Sequence, residues 1–105
     1  MVGSDGFLDN VRLKQEILWH IEQGRYRFTR HAMEEHGKDE LDLRDTVHVL
    51  KTGSHDQSKT SFDNKFQVWN YAIIGKTESL KTVRVIIAFV DEMIVVTVIK
   101  IKSRL

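Results

Sequence analysis

Cysteine and proline are both missing from this chain of 105 residues. Without cysteine there is no disulfide and no thiolate metal site, and the chain suits a reducing cytoplasm. Without proline, turns must be made by Gly, Asn, Asp and Ser. No apolar run reaches the ~18 residues of a membrane-crossing helix, and no secretory signal is visible. Internal repeats and low-complexity tracts are absent as well. So is a strong excess of either charge: 16 Lys and Arg stand against 15 Asp and Glu, leaving a net charge of +1. Whole-molecule electrostatics therefore do not select a nucleic acid, and any basic site must come from local clustering. There is also no Gly-rich phosphate loop and no serine in a nucleophile-elbow context.

What is present suits one small α+β domain with a single core. Hydrophobic residues make up 41% and charged residues 30%, an ordinary globular balance. Residues 1–6 are small and polar and are expected to form a disordered tail, leaving 7–105 as the domain. From about Leu8 to Gln23, Leu8, Val11, Ile17, Leu18 and Ile21 recur at helical spacing. Asp9 is a suitable N-cap, and Gly24 sits where a left-handed residue is wanted. Trp19 and His20 fall at the stripe's edges and are expected to pack. A further helix is expected between Asp42 and Thr52, with Leu43, Val47 and Leu50 buried, His48 outside the stripe and Gly53 at its end. Residues Ser54 to Asn64 are polar and suit a weak strand plus a loop.

The stretch from Arg25 to Gly37 is the most informative. Arg25, Tyr26, Arg27 and Phe28 alternate as a short strand with a cationic and an aromatic face. Thr29 then caps a helix, placing Arg30 and His31 beside its partial positive end. Cations there gain nothing from the dipole. They either await an anionic ligand or simply solvate a strand edge.

Beyond Phe66 the chain turns to β-branched and aromatic runs: 66–75, 82–90 and 93–102. Asp91 and Glu92 make a tight turn, so the last two runs should pair antiparallel. With Val90 opposite Met93, one face carries Arg84, Ala88 and Thr97, while the other is almost wholly apolar and should be covered by helices. A one-residue bulge would reverse part of this assignment. Helices first and strands afterwards predict two to three N-terminal helices on one face of a three- to five-stranded antiparallel sheet.

His31 and Glu35 share a helix face, but His36 lies ~140° around from His31, so a metal site would need a ligand from elsewhere and none is expected. Glu34, Glu35, Asp39, Glu40 and Asp42 suit a solvated helix surface. What remains is a scatter of Arg27, Arg30, His31, Lys59 and Arg84 around a sheet. Such a set suits a phosphodiester polymer, with Arg and Lys neutralising phosphate and His moving a proton. RNA cleavage needs no metal when its own 2′-OH is the nucleophile. Trp69 and Tyr71 either stack bases, if they share the Arg84 face, or belong to the core.

Tyr26-Arg27-Phe28-Thr29-Arg30-His31-Ala32, the capped helix ending at Thr52-Gly53 and the three following strands resemble a family of small bacterial domains of unknown function. Its members share an aromatic-x-x-Thr-x-His-Ala opening and stand near RelE- and BrnT-like toxins. Trp69-Asn70 and the closing 95–100 segment resemble the MqsR messenger-RNA interferases. The resemblance implies a RelE-like fold and a cytoplasmic type II toxin, a metal-independent endoribonuclease silenced by an antitoxin protein. Carried over from MqsR, the candidates are Lys59, Asn70, Arg84 and Lys100. Two departures stand out, because Arg84 replaces a catalytic tyrosine and Asn70 a glutamine, which leaves a degenerate or repurposed member open. Since Arg84 and Lys100 fall on opposite faces in the expected register, Arg84 is preferred.

The expected catalytic set is thus His31, Arg84 and Lys59, with Arg27, Arg30, Trp69, Asn70, Tyr71 and Lys100 contacting substrate. The expected partners are RNA, an antitoxin and a second copy in a homodimer, with no membrane and no cofactor. A non-catalytic module docking nucleic acid or protein through its basic face is the alternative, and a purely structural partner of a neighbouring protein is a third. The ribonuclease reading requires Arg30, His31 and Arg84 to converge on one exposed patch.

Overall fold

Each of the three helices starts at the side chain best suited to cap it. In the computed structural model, which describes residues 6–102, Asp9 accepts from the Arg12 N–H at the head of α1 (Asn10–Glu22). Thr29 follows the short strand β1 (Tyr26–Phe28) and caps α2 (Arg30–Lys38). Asp42 and Asp45 form a reciprocal capping box on α3 (Leu43–Thr52). The remaining elements are β2 (Ser54–His55), a 3₁₀ turn (Gln57–Lys59), β3 (Ser61–Asp63), β4 (Val68–Lys76), β5 (Thr82–Val90) and β6 (Glu92–Lys100).

The strands form one mixed sheet in the order β1-β6-β5-β4-β2, with β3 also on β4. The expectation of a wholly antiparallel sheet is corrected at one edge, where β1 runs parallel to β6, with Tyr26 opposite Met93 and Phe28 opposite Val95. The α1–β1 connection brings the chain to that edge already pointing along β6. The β5–β6 pairing follows the expected register from Val83–Lys100 to Ile86–Thr97 and then slips by one residue, so that Ile87 faces Val95 and Phe89 faces Met93. Val96 is the extra residue of the resulting bulge. This slip keeps Met93, Val95 and Val98 all on the inner face, where each is fully buried.

The helices cover that inner face. Leu13 and Ile17 of α1, Ala32 of α2, and Val49 and Leu50 of α3 join Val83, Val85 and Ile87 in one core. Each large aliphatic side chain so buried contributes ~1.5–3 kcal/mol. Two expected stripes are rotated. On α1 the buried set is Leu13, Ile17 and His20, while Val11 and Leu18 are exposed. The His20 ring packs 5.1 Å from Phe89 and its Nδ1 lies 2.7 Å from the Glu16 carbonyl, which makes this position as good a core group as Leu18. On α3 the stripe is Thr46, Val49 and Leu50, with Leu43 exposed. Thr46 is tolerated inside because its hydroxyl lies 2.6 Å from Nε2 of the buried His36.

Gly53 is where α3 presses closest on the sheet. A Cβ there would lie 2.6 Å from the carbonyl oxygens of both Ile74 and Val49, and one on Gly75 would lie 2.9 Å from the Gly53 Cα. The two glycines let the helix end meet β4 backbone to backbone. Lys14 of α1 closes this junction by donating to the carbonyls of Lys51 and Gly53. Gly53→Ala is therefore expected to destabilise the fold by ~2–3 kcal/mol through overpacking. Urea unfolding should show a lower midpoint with an unchanged slope.

Candidate functional site

The sheet separates the residues that the ribonuclease reading needs together. Arg84 lies opposite Ile74 and Ile99, on the face away from the helices. Its side chain is only 19% exposed and its Nε sits 3.5 Å from Asp56 Oδ2. Hydrogen bonding by the Ser58 hydroxyl, and then the charge of Arg84, hold the Asp56 carboxyl below the usual carboxylate range. Lys59 shares this corner, its N–H donating to the Asp56 carbonyl. Asn70 and Arg27 lie on the same face, Arg27 paired at 2.9 Å with Glu92. From strand spacing and rise, Arg27 and Arg84 are about 16 Å apart.

Arg30 and His31 are on the other side, because α2 packs against the inner face through Ala32 and His36. The expected convergence with Arg84 is therefore corrected: the two groups point away from each other across the sheet. Trp69 and Tyr71 also fall on the inner side, opposite Phe62 and Ile87. Tyr71 is 2% exposed and its hydroxyl accepts from the Leu8 N–H, while Trp69 packs edge-on against Phe7 and Phe62. Of the two alternatives that the sequence leaves open for these rings, the register of β4 puts both on the core side, away from Arg84. Lys100 falls on the inner side at the rim, as its register implied, and its N–H donates to Asp39 at the end of α2.

What the fold does assemble lies on α2 itself. The Thr29 hydroxyl accepts from the Ala32 N–H at 3.1 Å and donates to the Val96 carbonyl at 2.9 Å, joining the helix start to the bulge of β6. Ala32, with no exposed surface, lets the helix lie close on the strand. In the segment Thr29-Arg30-His31-Ala32, the threonine and the alanine thus serve the fold, while Arg30 and His31 project outward. His31 Nε2 lies 4.0 Å from Glu35 Oε1, and Lys38 Nζ lies 3.8 Å from the same oxygen. Glu35 is half-buried on the flank of the helix. The i, i+4 spacing of His31 and Glu35 is visible in the sequence, where it suggests a metal pair; Lys38, at i+3 from Glu35, is a neighbour that the sequence reasoning misses. Lys100 meets the far end of this helix, its N–H on Asp39, which is eight residues or about 12 Å along the axis from His31. No group of three or more His, Cys, Asp or Glu suited to a metal occurs among the described residues.

A protein-family model spans residues 28–100, well over half of the chain, beginning at the aromatic residue before Thr29. The chain belongs to the family described as Domain of unknown function (DUF4258). The matched span of this DUF4258 domain holds both the Arg84 corner and the α2 flank, and leaves α1 outside it. Nothing matches among the curated proteins or among the solved structures. No helix among the described residues is long and apolar enough to cross a membrane.

Two further imidazoles are held by the fold. Burial pushes His36 below the ordinary imidazole value, against the opposing pull of Asp42 and Asp45. Burial lowers His55 likewise, against Asp56, and its ring bridges Asn10 Oδ1 at 2.7 Å and Thr60 Oγ1 at 2.8 Å. An unfolded chain takes up protons on both rings at a pH where the folded DUF4258 domain does not. Their contribution to stability is thus complete above about pH 6.5 and is lost as pH falls toward the folded values. Asp42 and Asp56, whose pKa values are lowered, act in the same sense only at more acid pH, below about 4. Stability measured by urea titration should fall as pH drops below about 6.5, and less steeply in His36→Gln. A slope unchanged in both His36→Gln and His55→Gln would assign it to other groups.

Proposed function

We propose that this domain is a metal-independent endoribonuclease toxin, RelE-like in outline and silenced by an antitoxin, with its reacting groups on the outer flank of α2. One observation carries the reading: an imidazole and a cation both lie within 4.0 Å of a half-buried carboxylate on a helix that Thr29, Ala32 and His36 anchor. Transesterification of RNA needs a base for the 2′-OH, an acid for the departing 5′-oxygen and a cation for the phosphate. Glu35 takes the 2′-OH proton as that oxygen attacks phosphorus. His31, charged, gives a proton to the 5′-oxygen as the P–O bond breaks, leaving a 2′,3′-cyclic phosphate. Arg30 and Lys38 hold phosphate oxygens, and Lys100 lies beyond the end of the helix, its N–H on Asp39. The half-buried Arg84–Asp56 pair, across the sheet, has no part in this assignment, which replaces the site expected from the sequence, where Arg84 joined Arg30 and His31.

A second reading, a non-catalytic module that binds RNA or a partner, is favoured by the separation of Arg84 and Lys59 from His31. The two readings diverge in one experiment. With EDTA present, labelled single-stranded RNA should be cleaved by the native chain, and His31→Ala and Glu35→Gln should each lower the rate ~10²–10⁴-fold. Neither variant should change the melting temperature, whereas Thr29→Ala should lose ~1–2 kcal/mol of stability with its cap. Cleavage retained in His31→Ala removes that residue from the mechanism. RNA that is bound but never cut, with a salt dependence flattened by Arg27→Ala and Arg30→Ala, selects the binding module.

A further inference from the structure

Under one flank of α1 the sheet leaves a cleft of about 430 Å³, within the size range of small-molecule sites. Its floor is apolar and aromatic, made by Leu8 and by Trp69, Tyr71 and Phe89 from the start of β4 and the end of β5. Two charged side chains line its rim, Arg12 and Glu16, one turn apart on the helix with their Cβ atoms ~5–6 Å from each other. Arg12 is exposed and joins no ion pair among the described residues. It also sits in the first turn of α1, where the helix dipole does not favour a cation. The Glu16 side chain is 44% exposed, and its one ionic neighbour among the described residues is His20, at 3.9 Å. Trp69, in the wall of the cleft, has a buried Nε1–H with no acceptor among the described residues. A buried donor left so is costly until something accepts from it.

We propose that this cleft binds a guanine base, carried either by a free nucleotide or by an RNA strand. The aromatic floor suits a planar ring, and the two charges on the rim choose which ring. A carboxylate accepts two hydrogen bonds side by side, and guanine is the one standard base with two adjacent N–H donors, at N1 and N2, on a single edge. Glu16 takes that edge. The acceptors O6 and N7 come next around the ring and fall to Arg12, whose guanidinium is the commonest bidentate partner of that pair. An acid and a base one turn apart thus repeat the order of donors and acceptors on guanine. Adenine and cytosine instead set one amino group beside a bare ring nitrogen, which repels a carboxylate. Uracil has one N–H between two carbonyls. Trp69 needs an acceptor, and guanine brings a further one in N3. The cleft lies beneath α1 rather than on the flank of α2, so the inference does not depend on the ribonuclease reading.

Titration of the native chain with GMP, AMP, CMP and UMP tests it, followed by the NMR signal of the Trp69 indole N–H, which Trp19→Phe identifies by elimination. GMP should shift that signal and bind about tenfold or more tightly than the other three. Glu16→Gln should weaken GMP about tenfold or more and remove the preference, because an amide offers one acceptor where a carboxylate offers two. Arg12→Ala should weaken GMP by a similar factor, and neither substitution should change the melting temperature. Should Glu16→Gln disturb folding, the exposed Arg12 decides alone. A 2′-O-methylated uridine strand, which cannot be cut by its own 2′-oxygen, with and without one central guanosine, separates the two sources. Guanine-dependent binding of GMP assigns the cleft to a free nucleotide, and guanine-dependent binding of the strand alone assigns it to RNA. A Trp69 signal that no guanine-bearing probe moves overturns the proposal. So does an affinity for GMP equal to that for AMP, or one that both substitutions leave unchanged.

Discussion

One extra residue in β6 governs the rest of the architecture. Without the slip between Ile86 and Ile87, Met93 and Val95 would turn toward solvent and Ile94 would face the helices. With it, both halves of the strand present their branched side chains to the same core. The bulge also turns the Val96 carbonyl out of the β-ladder toward Thr29, whose hydroxyl takes it while capping α2. A single hydroxyl therefore satisfies a strand carbonyl and a helix N–H at once, and sets the helix across the edge of β6 just where β1 ends. The position of His31 and Glu35 follows from that junction.

The sheet is apolar on both faces, the helices covering one, while on the other Ala72, Ala88 and Ile94 are also buried. On the inner face, backbone-to-backbone contact at Gly53 and Gly75 and the Lys14 bonds at the end of α3 bring the helices close. On the outer face the chain spends its polar residues at the corners. Arg84 is held by Asp56, and Asp56 by Ser58, so its charge is committed to the loop after β2 rather than free for a substrate. Such a partly buried pair is costly to break, because loss of either member leaves the other charge desolvated. This gives Arg84 a structural reason to be there, independent of any substrate.

Local features of the fold were legible in the sequence, and relations between distant segments were not. Asp9, Thr29 and Asp42 were identifiable as caps because a cap is a contact within four residues. The β5 boundaries and the lower half of its pairing with β6 followed from alternation and a tight turn. Which aliphatic stripe faces inward is another matter: Leu18 and His20 are both available on α1, and Phe89 of a distant strand decides between them. Thr46 looks polar until His36 reaches it from another helix. The parallel pairing of a three-residue strand carries no local signal at all. The bulge was foreseen as a hazard to the register, but its position depends on Thr29, more than sixty residues earlier in the chain.

The same distinction explains the candidate site. Arg30, His31 and Arg84 were grouped by chemistry, and chemistry does not fix the side of a sheet on which a residue falls. Helical spacing does fix neighbours, and it is at i+4 and i+7 from His31 that the structure supplies a carboxylate and a cation. Because α2 is anchored through Thr29, Ala32 and His36, its outer flank is free of packing duties. Changes there reach solvent and ligand without passing through the core. A surface triplet on an anchored helix can therefore gain or lose an activity at little cost in stability, so that reactivity on this flank and the integrity of the domain are separable quantities.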